Sequence, residues 1–187
     1  MLCGVDEAGR GPLAGPVFAA AVILDPNPNK IIDGLMDSKR LNNHKLCQLH
    51  SIILRDAIEV SFASASVIEI DNLNILQASL LAMQRAINKL KCMPSKLIID
   101  GLHCPEIKGV DVNAIVRGDS IHQEISAASI IAKVERDKFM IHLDREFPEY
   151  NFKQHKGYPT KEHIAKIKEH GVSIVHRKTF KPVSTLI

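Results

Sequence analysis

The chain has 187 residues, of which 45% are apolar and 4% aromatic, with no Trp. That is enough for one domain with a sizeable core, yet no apolar run approaches the roughly 18 to 20 residues that span a bilayer. No basic segment followed by an apolar stretch and a small-residue cleavage site opens the chain, so a soluble, cytoplasmic protein with no membrane contact is expected. The four cysteines (Cys3, Cys47, Cys92, Cys104) contain no Cys-x-x-Cys pair; this spacing argues against zinc or thioredoxin-like chemistry and leaves reduced structural thiols. The net charge of +3 is unevenly spread: residues 1–132 hold 12 Lys and Arg against 14 Asp and Glu, and residues 133–187 hold 12 against 7. An acidic body with a basic C-terminal part suits a metal-dependent enzyme acting on nucleic acid, although a solvated helical tail would read the same way.

Met1 to Val5 reads as a strand, followed at once by Asp6 and Glu7 and then the turn Gly9-Arg10-Gly11. Neighbouring strand residues face opposite ways, so both acids can serve one site only where the strand ends. Two adjacent acids repel unless something positive sits between them, and a hard cation such as Mg²⁺ is the usual answer. Open glycine backbone beside an arginine fork suits a phosphate. A dinucleotide-binding turn does not fit: Gly15 comes one residue late and a strand rather than a helix follows. Taken alone, an Asp-Glu pair is more often a solvated turn.

Residues 16–24 form an apolar run, as a strand buried on both faces would. A loop at 25–29 follows. Asp37-Ser38-Lys39 leads into a helix of about 16 residues, with Asp37 or Ser38 as its N-cap; Lys39 either contacts a phosphate or solvates the helix start. Glu59 to Ala65 alternates as a strand, Ser66 to Ile70 reads as a short helix, and Asn72 to Lys91 as a long one closed by Pro94. Lys96 to Gly101 is a buried strand ending in Asp100, which lies beside Asp6 if the two strands are parallel. Ala114 to Ser120 repeats the pattern, ending in Asp119. A long helix over 121–146 opens with small residues suited to close packing on the sheet; Asp137 on it reads as a surface partner of basic residues. The loop Gln154 to Thr160 is densely polar. Thr160 caps a helix over Lys161 to His170 that Gly171 closes.

In this order, the segments Asp6-Glu7-Ala8-Gly9-Arg10-Gly11, Asp37-Ser38-Lys39, Leu73 to Ala78, Ile99-Asp100-Gly101, Gly118-Asp119-Ser120, Glu124 to Asp137 and His155-Lys156-Gly157-Tyr158-Pro159-Thr160 resemble the bacterial type 2 ribonucleases H, the ribonuclease HII family. The resemblance covers nearly the whole chain. It implies an α/β ribonuclease H-like fold: a mixed five-stranded sheet flanked by helices, with residues from about 147 to 187 as a basic helical extension of a single domain spanning 1–187. It implies Asp6, Glu7, Asp100 and Asp119 as catalytic, metal-binding carboxylates. Gly9, Arg10, Gly11, Lys39 and Tyr158 follow as substrate-binding residues, Tyr158 reading the ribose 2′-hydroxyl. The implied substrates are RNA–DNA hybrid duplexes and DNA containing ribonucleotides, cut 5′ of the ribonucleotide by a monomer. Two Mg²⁺ or Mn²⁺ ions would serve as cofactors. Leu102 departs from the Asn common after Asp-Gly in the family. A non-catalytic nucleic-acid-binding module and another nuclease of the same fold are the competing readings.

Overall fold

The computed structural model describes residues 1–27, 30–35 and 42–187. Strands β1 (Leu2–Ala8), β2 (Val17–Ile23), β3 (Glu59–Ala65), β4 (Lys96–Asp100) and β5 (Asp111–Ile115) form one sheet in the order β3-β2-β1-β4-β5. The β1–β2 and β2–β3 pairings are antiparallel, and β1–β4 and β4–β5 are parallel. This is the mixed five-stranded sheet expected. The helices are α1 (Asn43–Asp56), α2 (Val67–Leu73), α3 (Ile75–Asn88), α4 (Gln123–Glu146), α5 (Phe152–His155) and α6 (Lys161–His170). None of them is long and apolar enough, among the described residues, to cross a membrane.

Strand alternation decides which side each residue serves. On β2, Ala19, Ala21 and Ile23 pack with α3, while Ala20 and Val22 pack with α1 and α4. The strand is therefore buried on both faces, as its apolar run requires. On β1, Cys3 and Val5 join the α3 side. Gly4 faces α4 at very short range: a Cβ built on it would stand 2.1 Å from the backbone carbon of Glu124. A third apolar cluster (Leu13, Met140, Tyr150, Phe152, Ile167 and Val183 among its members) joins the C-terminal helices to the 9–16 segment.

Several element boundaries differ from expectation. β1 runs through Asp6 and Glu7 to Ala8 because the antiparallel ladder with β2 continues to the pair Ala8–Phe18. The helix expected over 72–91 is two helices. Asn74 breaks it with φ of 72°, and its side-chain oxygen then accepts the N–H groups of Leu76 and Gln77 to start α3. An Asn that tolerates positive φ and caps well favours such a break. Leu73 is consequently exposed rather than core, and α3 stops at Asn88, well before Pro94. α2 carries a complete capping box between Ser66 and Glu69. The N-cap of α1 is Asn42, whose side chain accepts Lys45 N–H; Asp37 and Ser38, the caps expected from the sequence, lie outside the described residues. β5 ends at Ile115, so Asp119 lies on a 3-10 turn over Gly118–Ser120 and not at a strand end. Thr160, α6 and Gly171 stand as expected. All four cysteines are free thiols; Cys3 is buried, which pushes its pKa to about 12, and Cys47 and Cys92 are exposed.

Candidate active site

Parallel pairing of β1 with β4 matches Val5 to Ile99, so Asp6 and Asp100 are next along adjacent strands and point to the same side of the sheet. Asp6 is 5% exposed. Its pKa is driven well above the usual carboxylate range, first by burial and then by the charges of Glu7 and Asp100, against a hydrogen bond with Ser129 of α4. Glu7 is also raised, by burial and by Asp100, while Arg10 pulls it down across a 3.1 Å ion pair. The alternation of β1 sends Asp6 and Glu7 to opposite faces at the backbone. They nonetheless act on one another and on Asp100, because the strand ends one residue later. Asp100 Oδ1 accepts Gly118 N–H at 2.7 Å, which brings Asp119, 3% exposed, to the same strand ends.

Three of the four expected carboxylates therefore share one electrostatic environment, and the fourth is tied to it through Gly118. One oxygen each of Asp6 and Glu7 is engaged within the protein: Asp6 Oδ1 accepts Glu7 N–H at 2.7 Å, and Glu7 Oε1 accepts from Arg10. Among the described residues no three His, Cys, Asp or Glu side chains converge as a ready cation cage. The donor set still fits a divalent ion: hard oxygens, crowded and buried or half-buried, whose mutual repulsion a cation would relieve. Lys39 lies outside the described residues. Leu102, 74% exposed, stands just beyond Asp100 and offers no hydrogen bond.

The structure brings the Gly9-Arg10-Gly11 turn and Tyr158 together. A Cβ on Gly11 would lie 3.8 Å from Tyr158 Cε1. The two loops are joined by Leu13 N–H donating to the Gly157 carbonyl at 2.7 Å. Beneath them sit two residues that sequence reasoning missed. Arg136, on α4, is 1% exposed, and Arg177, in the segment after α6, is fully buried. Arg177 donates from Nε, Nη1 and Nη2 to the carbonyls of Gly15, Arg10 and Gly9 at 2.9, 2.8 and 2.6 Å. Arg136 donates to the carbonyls of Pro16, Lys156 and Ala14, and its guanidinium lies 5.8 Å from the centre of the Tyr158 ring. For Arg136 a signal existed: Ala128, Ala132 and Met140, at four-residue steps from it along α4, are all buried. For Arg177 there was none. Two of the basic residues credited to the C-terminal part, residues 133–187, are thus unavailable to a nucleic-acid backbone.

A buried imidazole chain backs the Tyr158 loop. His163 Nδ1 donates to the Tyr158 carbonyl at 3.0 Å, leaving Nε2 to accept from His176 Nε2 at 3.1 Å. His176 Nδ1 then accepts from Ser173 N–H and hydroxyl. His155 accepts Gly157 N–H and contacts the Tyr150 carbonyl. Every position is satisfied with neutral rings, and burial depresses His163 and His176 to about 4. A histidine with a lowered folded pKa stabilises the fold fully above its unfolded value, near 6.5, and loses that contribution as pH falls toward 4. Each ring places on the order of 3 kcal/mol at stake. Asp6 and Glu7, being raised, act in the opposite sense. Melting temperature is therefore expected to fall between pH 6.5 and 4. His176→Asn, whose amide oxygen can replace Nδ1, should flatten the slope; an unchanged slope would remove the imidazoles as its cause.

Comparison with known proteins shows the family and the fold. The family model described as Ribonuclease HII matches residues 3–183. A protein named ribonuclease HII from Nitrosospira multiformis is 59% identical over 186 residues, covering all of this chain and 92% of the relative. The crystal structure of the ribonuclease H2 from Pyrococcus horikoshii OT3 superposes with a TM-score of 0.83 at 26% identity, covering 99% of this chain and 96% of that one. Bst-RNase HIII in complex with Mn²⁺ shares the fold, with a TM-score of 0.73 at 18% identity over 99% of this chain and 68% of the other. With the strand-end acids, the glycine turn and a full-length family match in agreement, this chain belongs to the ribonuclease HII family and is a nuclease hydrolase.

Proposed function

We propose that this protein is an endoribonuclease that hydrolyses the RNA strand of RNA–DNA hybrids and cuts 5′ of single ribonucleotides in duplex DNA, leaving 3′-hydroxyl and 5′-phosphate ends. The observation that carries this reading is the gathering of Asp6, Glu7 and Asp100, the first two held above their usual pKa, beside a Gly-Arg-Gly turn that faces Tyr158. Carboxylates crowded next to a backbone-binding turn suit a phosphodiester and would repel it unaided. Asp6, Glu7, Asp100 and Asp119 are the residues proposed to hold Mg²⁺ or Mn²⁺, which when bound supplies an activated water and stabilises the departing 3′-oxygen.

The protein's own groups account for the rest. Asp6 and Glu7 must lose their protons before they can serve as ligands, so apparent metal affinity should weaken as pH falls. Arg10, half exposed at the end of the pair with Glu7, presents free guanidinium donors to a phosphate. Tyr158, 40% exposed, offers a ring to a sugar or base and a hydroxyl to the 2′-oxygen, the group that separates RNA from DNA. Exposed lysines at 153, 161 and 178 are placed to give salt-dependent, sequence-independent contacts. In this reading the chain acts as a cytoplasmic monomer, with residues 147–187 completing one catalytic domain.

An end-labelled DNA duplex with one ribonucleotide, incubated with Mg²⁺ and with chelator, tests the proposal. One metal-dependent cut on the 5′ side is expected. Tyr158→Ala should lower that rate at least tenfold, equivalent to about 1.4 kcal/mol in the transition state. Cutting of continuous hybrids alone would keep the nuclease and refute the ribonucleotide reading.

A further inference from the structure

Five of the six carbonyls that accept from Arg136 and Arg177 belong to one stretch: Gly9, Arg10, Ala14, Gly15 and Pro16. Both side chains are fully desolvated, and among the described residues no carboxylate lies within ion-pair distance of either. Two unpaired cations in the interior are costly unless their geometry is needed. The surrounding sequence is cut to fit them. Gly9 has φ of 93°, and a Cβ there would stand 2.0 Å from Arg136 Nε. Gly157 permits the approach of the second loop, since a Cβ on it would stand 2.7 Å from the Ala14 carbonyl oxygen.

The peptide units of the turn translate this anchoring into a direction. In a trans peptide, C=O and the following N–H point opposite ways. The carbonyls of Gly9 and Arg10 point at Arg177, so the N–H groups of Arg10 and Gly11 point away from it, outward. Both residues are exposed, and among the described residues neither amide has an acceptor.

We infer that Arg136 and Arg177 are positioning residues for ribonucleotide selection, turning the Arg10 and Gly11 amides toward the substrate and locking them to the Tyr158 loop. Arg177 joins the turn to the C-terminal segment, and Arg136 joins it to the carbonyl of Lys156 and the ring of Tyr158. The inference rests on the function proposed above. It goes beyond it by naming what fixes selectivity without touching the substrate.

Lysine keeps the charge and lacks the planar fork that reaches three carbonyls at once. For Arg177→Lys and Arg136→Lys, kcat and KM are measured on two substrates: a DNA duplex with one ribonucleotide, and a continuous RNA–DNA hybrid, below each variant's melting temperature. The ratio of kcat/KM between the two substrates is expected to fall at least tenfold, with the salt dependence of KM unchanged. A merely structural role would lower both substrates equally and leave the ratio alone; that result overturns the inference. Should either lysine variant fail to fold, Phe180→Leu decides. It keeps an apolar side chain against the two clusters that Phe180 packs on, removes the ring lying 5.0 Å from the Arg177 guanidinium, and should lower the ratio two- to threefold; an unchanged ratio overturns the inference. Wild-type enzyme that ignores the single ribonucleotide would refute the proposed function itself, and the inference with it.

Discussion

Asp6→Asn is expected to abolish cleavage, by on the order of 10³-fold or more, while making the metal-free protein more stable. Both halves follow from one environment. Asp6 is buried against Ser129 and flanked by Glu7 and Asp100, so its negative charge is unfavourable in the fold. The sign is that of a carboxylate with a raised pKa: its ionisation destabilises the native state as pH rises through the raised value, and a neutral amide is free of that effect. A gain on the order of 1 kcal/mol would lift the melting temperature by roughly 2–4 °C at neutral pH in chelator. Added Mg²⁺ should stabilise wild type and not the variant. Melting curves with and without metal, run beside the cleavage assay, check both effects. A variant that is inactive and also less stable would show that Asp6 serves the fold more than the site.

Gly4→Ala is expected to produce the largest loss of stability of any single methyl addition in the sheet, about 3 kcal/mol or more, a fall of roughly 6–12 °C in melting temperature. The methyl would meet the Glu124 carbonyl carbon at 2.1 Å and the Ile125 nitrogen at 2.3 Å. Both are backbone atoms, so relief requires shifting α4 off β1 rather than turning a side chain. α4 also carries Ser129, the hydroxyl that bonds to Asp6, and Arg136, so activity should fall further than the folded fraction explains. Urea denaturation with a parallel single-turnover assay separates the two losses. A tolerated alanine would mean that α4 can ride further from the sheet than the contact implies.

Legibility in the sequence tracked how local each cause is. β2, β3, β4 and α6 follow from runs, alternation and caps within a few residues of themselves, and they formed where their patterns placed them. Asp6 and Asp100 could be paired because a parallel register needs only two strands and their ends. The resemblance to a family then supplied Asp119, whose strand-end placement from pattern alone was wrong: a 3-10 turn carries it. Asn74 looked like a helical residue because nothing in a hydrophobic stripe reports a positive φ. The hidden arginines were beyond reach for a different reason. Arg136 meets Pro16 across 120 residues and Arg177 meets Gly9 across 168, so the partners that make their burial tolerable are invisible to any local window. Charge counting even assigned them the wrong role.

The fastening of the 9–16 segment also bears on biosynthesis. A ribosome delivers Asp6, Glu7, Asp100 and Asp119 long before residue 177. The backbone bonds from Gly15 N–H to Val175 and from Arg177 N–H to Leu13 cannot form until the final stretch emerges. An unfinished chain would hold all four acids with the 9–16 turn still unfastened, so that turn takes its final form only when the last residues have arrived.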